Sequence, residues 1–73
     1  MKANTTEGRV FYHIFKTSDS NWISRVSLKE IAEALKDIPA EEISRTIYDL
    51  KMQGFIESTP DGFLIKYTNI RLY

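Results

Sequence analysis

Apolar side chains recur at helical spacing in three stretches of the 73-residue chain. The first stretch runs from Glu7 to Thr17, and either Thr5 or Thr6 can cap the start of its helix. Its apolar face, at i, i+1, i+4, i+5 spacing, consists of Val10, Phe11, Ile14 and Phe15. A run of turn-forming residues over 17–21 ends this helix. The apolar residues within 22–26 then predict a short strand.

The second helix has the clearest start signal in the sequence. Ser27 and Glu30 have the spacing of a capping box, in which each side chain accepts a hydrogen bond from the backbone amide of the other residue. The apolar positions at i, i+3, i+4, i+7 spacing are Leu28, Ile31, Ala32 and Leu35. Because Pro39 disfavours helical geometry in the residue before it, this helix is expected to stop near 36–37.

A third helix is predicted over 39–53. Pro39 suits its first turn, and Glu41 and Glu42 lie near the positive end of its dipole. Its buried stripe is expected to be Ile43, Ile47 and Leu50. Gly54 is a natural C-terminal cap for this helix.

After Gly54 the pattern changes to that of β-strands. Residues 55–59 and 63–68 are rich in aromatic and β-branched side chains. The turn Pro60-Asp61-Gly62 between them predicts a β-hairpin, because proline presets φ and glycine accepts a positive φ. The element order is helix, short strand, helix, tight turn, helix and hairpin. It predicts a single α+β domain over 1–73 with the winged helix-turn-helix layout of three helices and a C-terminal hairpin wing.

The stretch from Val26 to Tyr67 resembles the winged-helix domains of bacterial and archaeal transcriptional repressors. The similar pattern is SLKEIAEAL, then IPAEEISRTIYDLKMQGFIE, then a wing turn of the PDG type. This resemblance implies a winged-helix fold. It implies less about function, since many winged helices bind proteins instead of DNA.

Residues 42–50, EISRTIYDL, are similar to the recognition helix of domains that bind left-handed Z-form nucleic acid. This similarity implies that Tyr48 packs on a base and that Pro60 contacts the nucleic-acid backbone. The chain departs from that family at Glu41 and Ser44, where the family has lysine and asparagine. The family's tryptophan after paired prolines is also absent here.

Composition narrows the classes of function. Ten basic and ten acidic residues balance, whereas DNA-binding domains usually carry a basic surplus, so phosphate contacts would need local clustering. The chain has no cysteine and therefore no disulfide framework or thiolate metal site. The single histidine, His13, is expected on the solvated surface. No apolar run reaches the length of a membrane span, and the polar residues 1–8 are not a signal peptide. We therefore expect a cytoplasmic, intracellular protein that contacts no membrane.

Catalytic signatures are missing from the sequence. It contains no nucleophile–base arrangement, phosphate-binding glycine loop or cofactor fingerprint. We expect that the protein is not an enzyme, with no catalytic, cofactor-binding or metal-binding residues.

The face of the third helix opposite its apolar stripe carries the candidate recognition residues. In the winged-helix layout this face enters the major groove, where Arg45 can read a guanine edge or clamp a phosphate. Tyr48 adds stacking area with a polar tip. The candidate nucleic-acid-binding residues are Arg25, Ser27, Lys29, Ser44, Arg45, Tyr48, Lys51 and Lys66.

The sequence predicts a sequence-specific binder of double-stranded DNA, a small transcriptional regulator with helix 39–53 in the major groove and hairpin 55–68 as the wing. The neutral charge favours an alternative, a protein-interaction or assembly module that binds through Tyr48, Met52 and the hairpin. Binding of Z-form or single-stranded nucleic acid is a further alternative. A homodimer through helix one and the tail 70–73 is also predicted, because Tyr12 broadens the apolar arc of helix one and the tail alternates apolar and polar residues.

Overall fold

The computed structural model describes residues 4–66, which form three α-helices and a three-stranded antiparallel sheet. The elements in chain order are α1 (Thr6–Lys16), β1 (Ile23–Ser24), α2 (Leu28–Ala34), α3 (Ala40–Met52), β2 (Ile56–Thr59) and β3 (Gly62–Ile65). The α+β class and the predicted order of elements within 4–66 are confirmed. The end of the predicted second hairpin strand, 67–68, and the tail 70–73 lie outside the described residues.

Each helix begins at a residue that sequence rules pick out. Thr5 Oγ1 accepts from the Gly8 amide at 3.1 Å, which caps α1. Ser27 Oγ accepts from the Glu30 amide at 3.1 Å, which is half of the predicted capping box. Within residues 4–66 the return bond to the Glu30 carboxylate is not formed. Pro39 has φ −57° and ψ 143°, so it is the N-cap of α3 and not, as predicted, part of its first turn.

Strand β1 and helix α2 are shorter than predicted. Strand β1 begins at Ile23 and not at position 22, because Trp22 has a φ of 63° and its amide donates to the Asp19 carbonyl at 3.0 Å in a tight turn. Helix α2 ends at Ala34 because Leu35 leaves helical geometry, with φ −114° and ψ 62°. The connection between α2 and α3 therefore spans 35–39.

Ten buried apolar side chains form one core in the described part of the chain, and α3 contacts α1, α2 and β2 around it. These side chains are Val10, Phe11, Ile14, Ile31, Ile38, Ile43, Ile47, Leu50, Ile56 and Ile65. The buried stripe of α3 is confirmed. The stripe of α2 is not, because Leu28 is 45% exposed and Leu35 is half-buried. A helical side chain leans toward the N-terminus, so Leu28 in the first turn extends past the end of α2 into solvent.

Aromatic rings connect this core to the surface. Phe11 lies edge-on to Phe55 with ring centroids 6.0 Å apart, and Phe15 lies 6.1 Å from Phe11. Phe15, expected to be buried, is half-buried and packs at 5.5 Å against Trp22. Trp22 covers Phe15 in this way, but its indole stays 41% exposed.

Strand β3 is the middle strand of the sheet, in the order β1-β3-β2. Ser24 pairs with Phe63, and this pairing brings the hairpin tip against β1. Gly62 there has a φ of 145°, and a Cβ on it would lie 2.0 Å from the Ser24 carbonyl oxygen. Only glycine allows this approach of two backbones.

A buried polar contact ties α1 to β1. Ser24 is fully buried, and its hydroxyl lies 2.8 Å from Thr17 Oγ1. The Thr17 hydroxyl is also within hydrogen-bond distance of the His13 and Ile14 carbonyls at the end of α1. Because a buried hydroxyl is costly without a partner, this contact constrains the position of β1 relative to α1.

We expect Ile47→Ala to lower the free energy of unfolding by about 2–5 kcal/mol, because it removes buried methylenes from the centre of α3. Ser44→Ala, one turn away on the exposed face, is the matched control and should change stability by less than about 0.5 kcal/mol. Urea unfolding followed by circular dichroism measures both. Equal small losses would mean that the buried and exposed faces of α3 are exchanged.

Gly62→Ala should destabilise the domain more than Gly54→Ala. Both glycines have positive φ, so both variants carry backbone strain of about 1–2 kcal/mol. A Cβ at Gly54 meets no atom within 4 Å, whereas one at Gly62 collides with Ser24. Thermal unfolding of the two variants tests the difference, and a Gly62→Ala variant as stable as Gly54→Ala would contradict the close approach of β1 and the hairpin.

Candidate nucleic-acid interface

The outward face of α3 is where the sequence predicts it. Ser44, Arg45 and Tyr48 are exposed, while the stripe of isoleucines and leucine on the other side is buried. Tyr48 is 58% exposed, and Met52, one turn later, is 69% exposed. Large side chains with this much free surface on a helix held rigidly by its opposite face can contact a partner without rearrangement of the core.

Arg45 has an available guanidinium. Glu41 and Asp49 lie four residues before and after it, at the spacing of helical ion pairs. Even so, no carboxylate within residues 4–66 comes within 4.0 Å of its nitrogens. Lys29 and Lys51 are likewise exposed and form no ion pair in this part of the chain. These three cations are therefore free for an anionic ligand.

Arg25 is exposed but paired with an acid. Its Nη1 lies 2.6 Å from Asp19 Oδ2. Asp19 Oδ1 also accepts from the amides of Asn21 and Ile23, at 2.8 and 3.2 Å. The hydrogen bond from Arg25, followed by those from the two amides, holds the pKa of Asp19 below its ordinary value of 3.8. A phosphate would have to compete with this carboxylate for Arg25.

Lys66 lies at the base of the hairpin, at the end opposite the turn. Its amide donates to the Phe55 carbonyl at 2.9 Å, and its Nζ is 3.7 Å from Glu57 Oε1. The turn itself carries Asp61, which is exposed and contributes to raising the pKa of Arg25, after the larger effect of Asp19. The tip of the hairpin is thus acidic, and Arg25, the cation whose pKa it affects, is already paired with Asp19.

Ser27 and Lys29 belong to the start of α2, where both are exposed. The Ser27 oxygen already accepts the capping hydrogen bond from the Glu30 amide, so the hydroxyl has its proton and one further lone pair for a ligand. The eight candidates therefore lie in four places: after β1, at the start of α2, along α3 and at the base of the hairpin.

The net charge of the elements that form the candidate interface does not favour the binding of phosphate. Helix α3 has two basic residues, Arg45 and Lys51, against three acidic ones, so its net charge is −1. The hairpin over 55–66 has one basic residue against two acidic ones and is also −1. Asp19 pairs with Arg25, and Glu57 pairs with Lys66. The sequence did not predict these two ion pairs, because one depends on the turn before β1 and the other on strand register.

The residues of α1 are only partly as expected. His13 was expected on the solvated surface but is half-buried. Loss of hydration lowers the pKa of His13, the positive charge of Lys16 lowers it further, and the negative charge of Glu30 opposes the shift. Tyr12 is 49% exposed with the Lys16 ammonium 5.6 Å from its ring centroid. The predicted homodimer surface therefore includes an exposed Tyr12 on α1, while its second part, 70–73, lies outside the described residues.

Residues 4–66 contain no group of three histidine or acidic side chains that could hold a metal ion. None of the helices in this range has the length and apolar character needed to cross a membrane.

The two residues that the similarity to Z-form binders implicates, Tyr48 and Pro60, are both exposed. No family model, curated protein or solved structure matches the chain.

The Asp19–Arg25 pair predicts how stability depends on pH. Because the folded-state pKa of Asp19 is below its ordinary value of 3.8, its contribution is complete above that pH and is lost as the pH falls through the folded-state value. Asp19→Asn keeps an oxygen acceptor for the two amides but removes the charge, so its free energy of unfolding should fall less steeply in acid than that of the parent.

Asp37 provides a matched comparison, since its pKa is lowered mainly by the hydrogen bond from Arg9. Asp37→Asn should flatten the same acid limb without disturbing the turn before β1. Denaturant unfolding between pH 2 and pH 6 (on the order of the range in which aspartates titrate) measures all three proteins. Identical acid limbs for the parent and Asp19→Asn would contradict a paired, ionised Asp19.

Proposed function

We propose that this chain is a winged-helix domain that binds double-stranded DNA with sequence specificity and acts as a small transcriptional regulator. The observation that carries the proposal is the outward face of α3, where Arg45, which pairs with no carboxylate of residues 4–66, stands between exposed Ser44 and Tyr48. Arginine paired to guanine O6 and N7 is the commonest base-specific contact in the major groove.

The dimensions of α3 suit this role. Its thirteen residues make a helix about 20 Å long, and the major groove is about 12 Å wide. Helix α2 precedes it after a five-residue connection and packs against its buried side. In the proposed complex, α3 lies in the groove, and Lys29 at the start of α2 contacts a phosphate on the flanking backbone.

Electrostatics set the strength and the form of this binding. Lys29 and Lys51 form no ion pair within residues 4–66 and can contact phosphates while Arg45 reads a base, which corresponds to a slope of log K against log salt of about −1.8. The acidic tip at Asp61 opposes entry of the hairpin into a minor groove. The hairpin therefore contributes contacts along the backbone at most, and α3 supplies the specificity.

A second function is favoured by a specific observation. Tyr48 and Met52 are adjacent on one face of α3 and are both more than half exposed. Tyrosine and methionine are enriched in protein interfaces, and the alternation of acids and bases along α3 suits a protein surface better than a polyanion. On this alternative, the same face of α3 is the core of a protein-interaction surface.

Arg45→Ala should weaken binding to a preferred duplex by about 1–3 kcal/mol and relax preference at one base pair. Lys29→Ala should weaken binding to all duplexes equally and reduce the salt slope by about 1. Lys16→Gln on α1 removes the same charge away from the outward face of α3 and should leave both quantities unchanged.

Fluorescence anisotropy with duplexes selected from a random pool, titrated over salt concentration, measures these effects. Retention of full affinity by both Arg45→Ala and Lys29→Ala at low salt would exclude the major-groove proposal. A salt slope near zero for the parent protein would instead support the protein-interaction alternative.

A further inference from the structure

The outward face of α3 carries two large apolar side chains that do not contribute to the core. Tyr48 and Met52 are both more than half exposed, and they are the most exposed of the large apolar residues within 4–66. Trp22, which is also exposed, packs against Phe15. Within the same part of the chain the Tyr48 ring contacts no other aromatic ring, and no cation lies over it. The apolar surface of these two side chains is therefore available to a ligand.

Helical spacing places Arg45, Tyr48 and Met52 in one row. Successive residues of an α-helix advance by about 1.5 Å and turn by about 100°. Tyr48 therefore lies about 4.5 Å along the axis from Arg45 and about 60° around it, and Met52 lies about 6 Å further along. All three side chains are exposed on the side opposite the buried stripe of α3. The row begins with a cation and continues with two apolar groups.

The base edges in the major groove offer few apolar partners to such a row. Guanine presents two acceptors there, adenine an acceptor and a donor, and cytosine a donor. Thymine presents an apolar group, its C5 methyl, beside its O4 acceptor. An apolar side chain that loses water on entering the groove gains free energy where it meets another apolar group. In the major groove, Tyr48 and Met52 are therefore stabilised by thymine more than by the other three bases.

We propose that Tyr48 and Met52 read the C5 methyl groups of thymines that lie within three base pairs of the guanine bound by Arg45. This inference rests on the proposed DNA binding and adds the base that the apolar part of the row selects. Base pairs follow one another at about 3.4 Å along the duplex. Tyr48 is therefore about one base-pair step beyond Arg45, and Met52, at about 10.5 Å from Arg45 along the helix, is about three steps beyond it.

The hydroxyl of Tyr48 offers a different role for this residue. A phenol can donate its proton to a phosphate, and phosphate contacts carry no direct sequence information. Tyr48 shares its row with Arg45, however, so a pose that places the guanidinium on a base edge brings the ring to the next base edge and not to the flanking backbone. Tyr48→Phe separates the two roles, because it keeps the ring and removes the hydroxyl.

The first experiment changes the DNA by one methyl group at a time and leaves the protein intact. A duplex is selected from a random pool with the full chain, and the guanine whose preference Arg45→Ala relaxes is located. Each thymine within three base pairs of this guanine is then replaced by deoxyuridine, which pairs in the same way but lacks the methyl group. We expect at least one replacement to weaken binding about 3–5-fold, the factor that burial of one methyl group contributes. Fluorescence anisotropy measures the affinities.

Two further comparisons separate the methyl group from other properties of thymine. At the sensitive position, 5-methylcytosine and cytosine present the same amino group and differ only in the methyl, so the methylated duplex should bind about 3–5-fold more tightly. Both ratios should be the same at low and high salt, because the methyl contact involves no phosphate.

The outcomes distinguish failure of this inference from failure of the proposed function. Equal affinity for thymine and uracil duplexes, with a guanine preference that still depends on Arg45, overturns the inference and leaves DNA recognition by α3 in place. A selected site with no thymine within three base pairs of the guanine does the same. If the chain prefers no duplex over any other, the proposed function and the inference both fail.

Protein variants locate the methyl contact. The double variant of Tyr48→Ala and Met52→Ala should bind thymine and uracil duplexes equally but keep the guanine preference that Arg45 supplies. Tyr48→Phe is the matched control and should keep the ratio of the parent. Both replaced side chains are exposed, and circular dichroism verifies that the variants are folded. A thymine preference that persists in the double variant, or that disappears in Tyr48→Phe, would overturn the proposal.

Discussion

Burial of one face of α3 is the interaction on which the rest of this structure depends. Helices α1 and α2 and strand β2 all pack against α3, and Ile43, Ile47 and Leu50 are at most a few per cent exposed. Burial of three such side chains contributes roughly 5–9 kcal/mol, which is comparable to the entire stability of a small domain. Because α3 is held on this face, its opposite face has to remain in solvent, and that geometry makes Ser44, Arg45 and Tyr48 available.

The ion pairs on this surface affect which cations are available to a ligand more than they affect the stability of the fold. Exposed pairs such as Arg25–Asp19 and Lys66–Glu57 contribute little to stability, because solvent screens the attraction between their charges. Their consequence is that Arg25 and Lys66, two of the cations suggested as phosphate contacts, already lie within 4.0 Å of a carboxylate, whereas Arg45 pairs with no carboxylate of residues 4–66. A phosphate ligand would therefore meet a short row of free cations along α2 and α3 rather than a broad basic surface.

Much of this fold follows from local rules that need only the sequence. The helix starts are marked by Thr5, Ser27 and Pro39, and Gly62 completes the hairpin turn. The spacing of apolar residues predicts the buried stripe of α3. These features are local because capping, turn geometry and helical periodicity involve residues within about four positions of one another. For the same reason, the outward position of Arg45 could be predicted with its helix.

Tertiary structure decided the exposure and the ion pairing of side chains whose neighbours are distant in the sequence. The exposure of Leu28, the half-burial of His13 and the pairing of Arg25 with Asp19 all follow from which elements lie beside them and where a turn ends. The close approach of Gly62 to Ser24 joins residues 38 positions apart in the 73-residue chain. The sequence by itself determined which elements form and which face of α3 is apolar. Only the packed structure decided which candidate cations pair with a carboxylate within residues 4–66 and which apolar side chains stay exposed, because burial and register are properties of the whole arrangement.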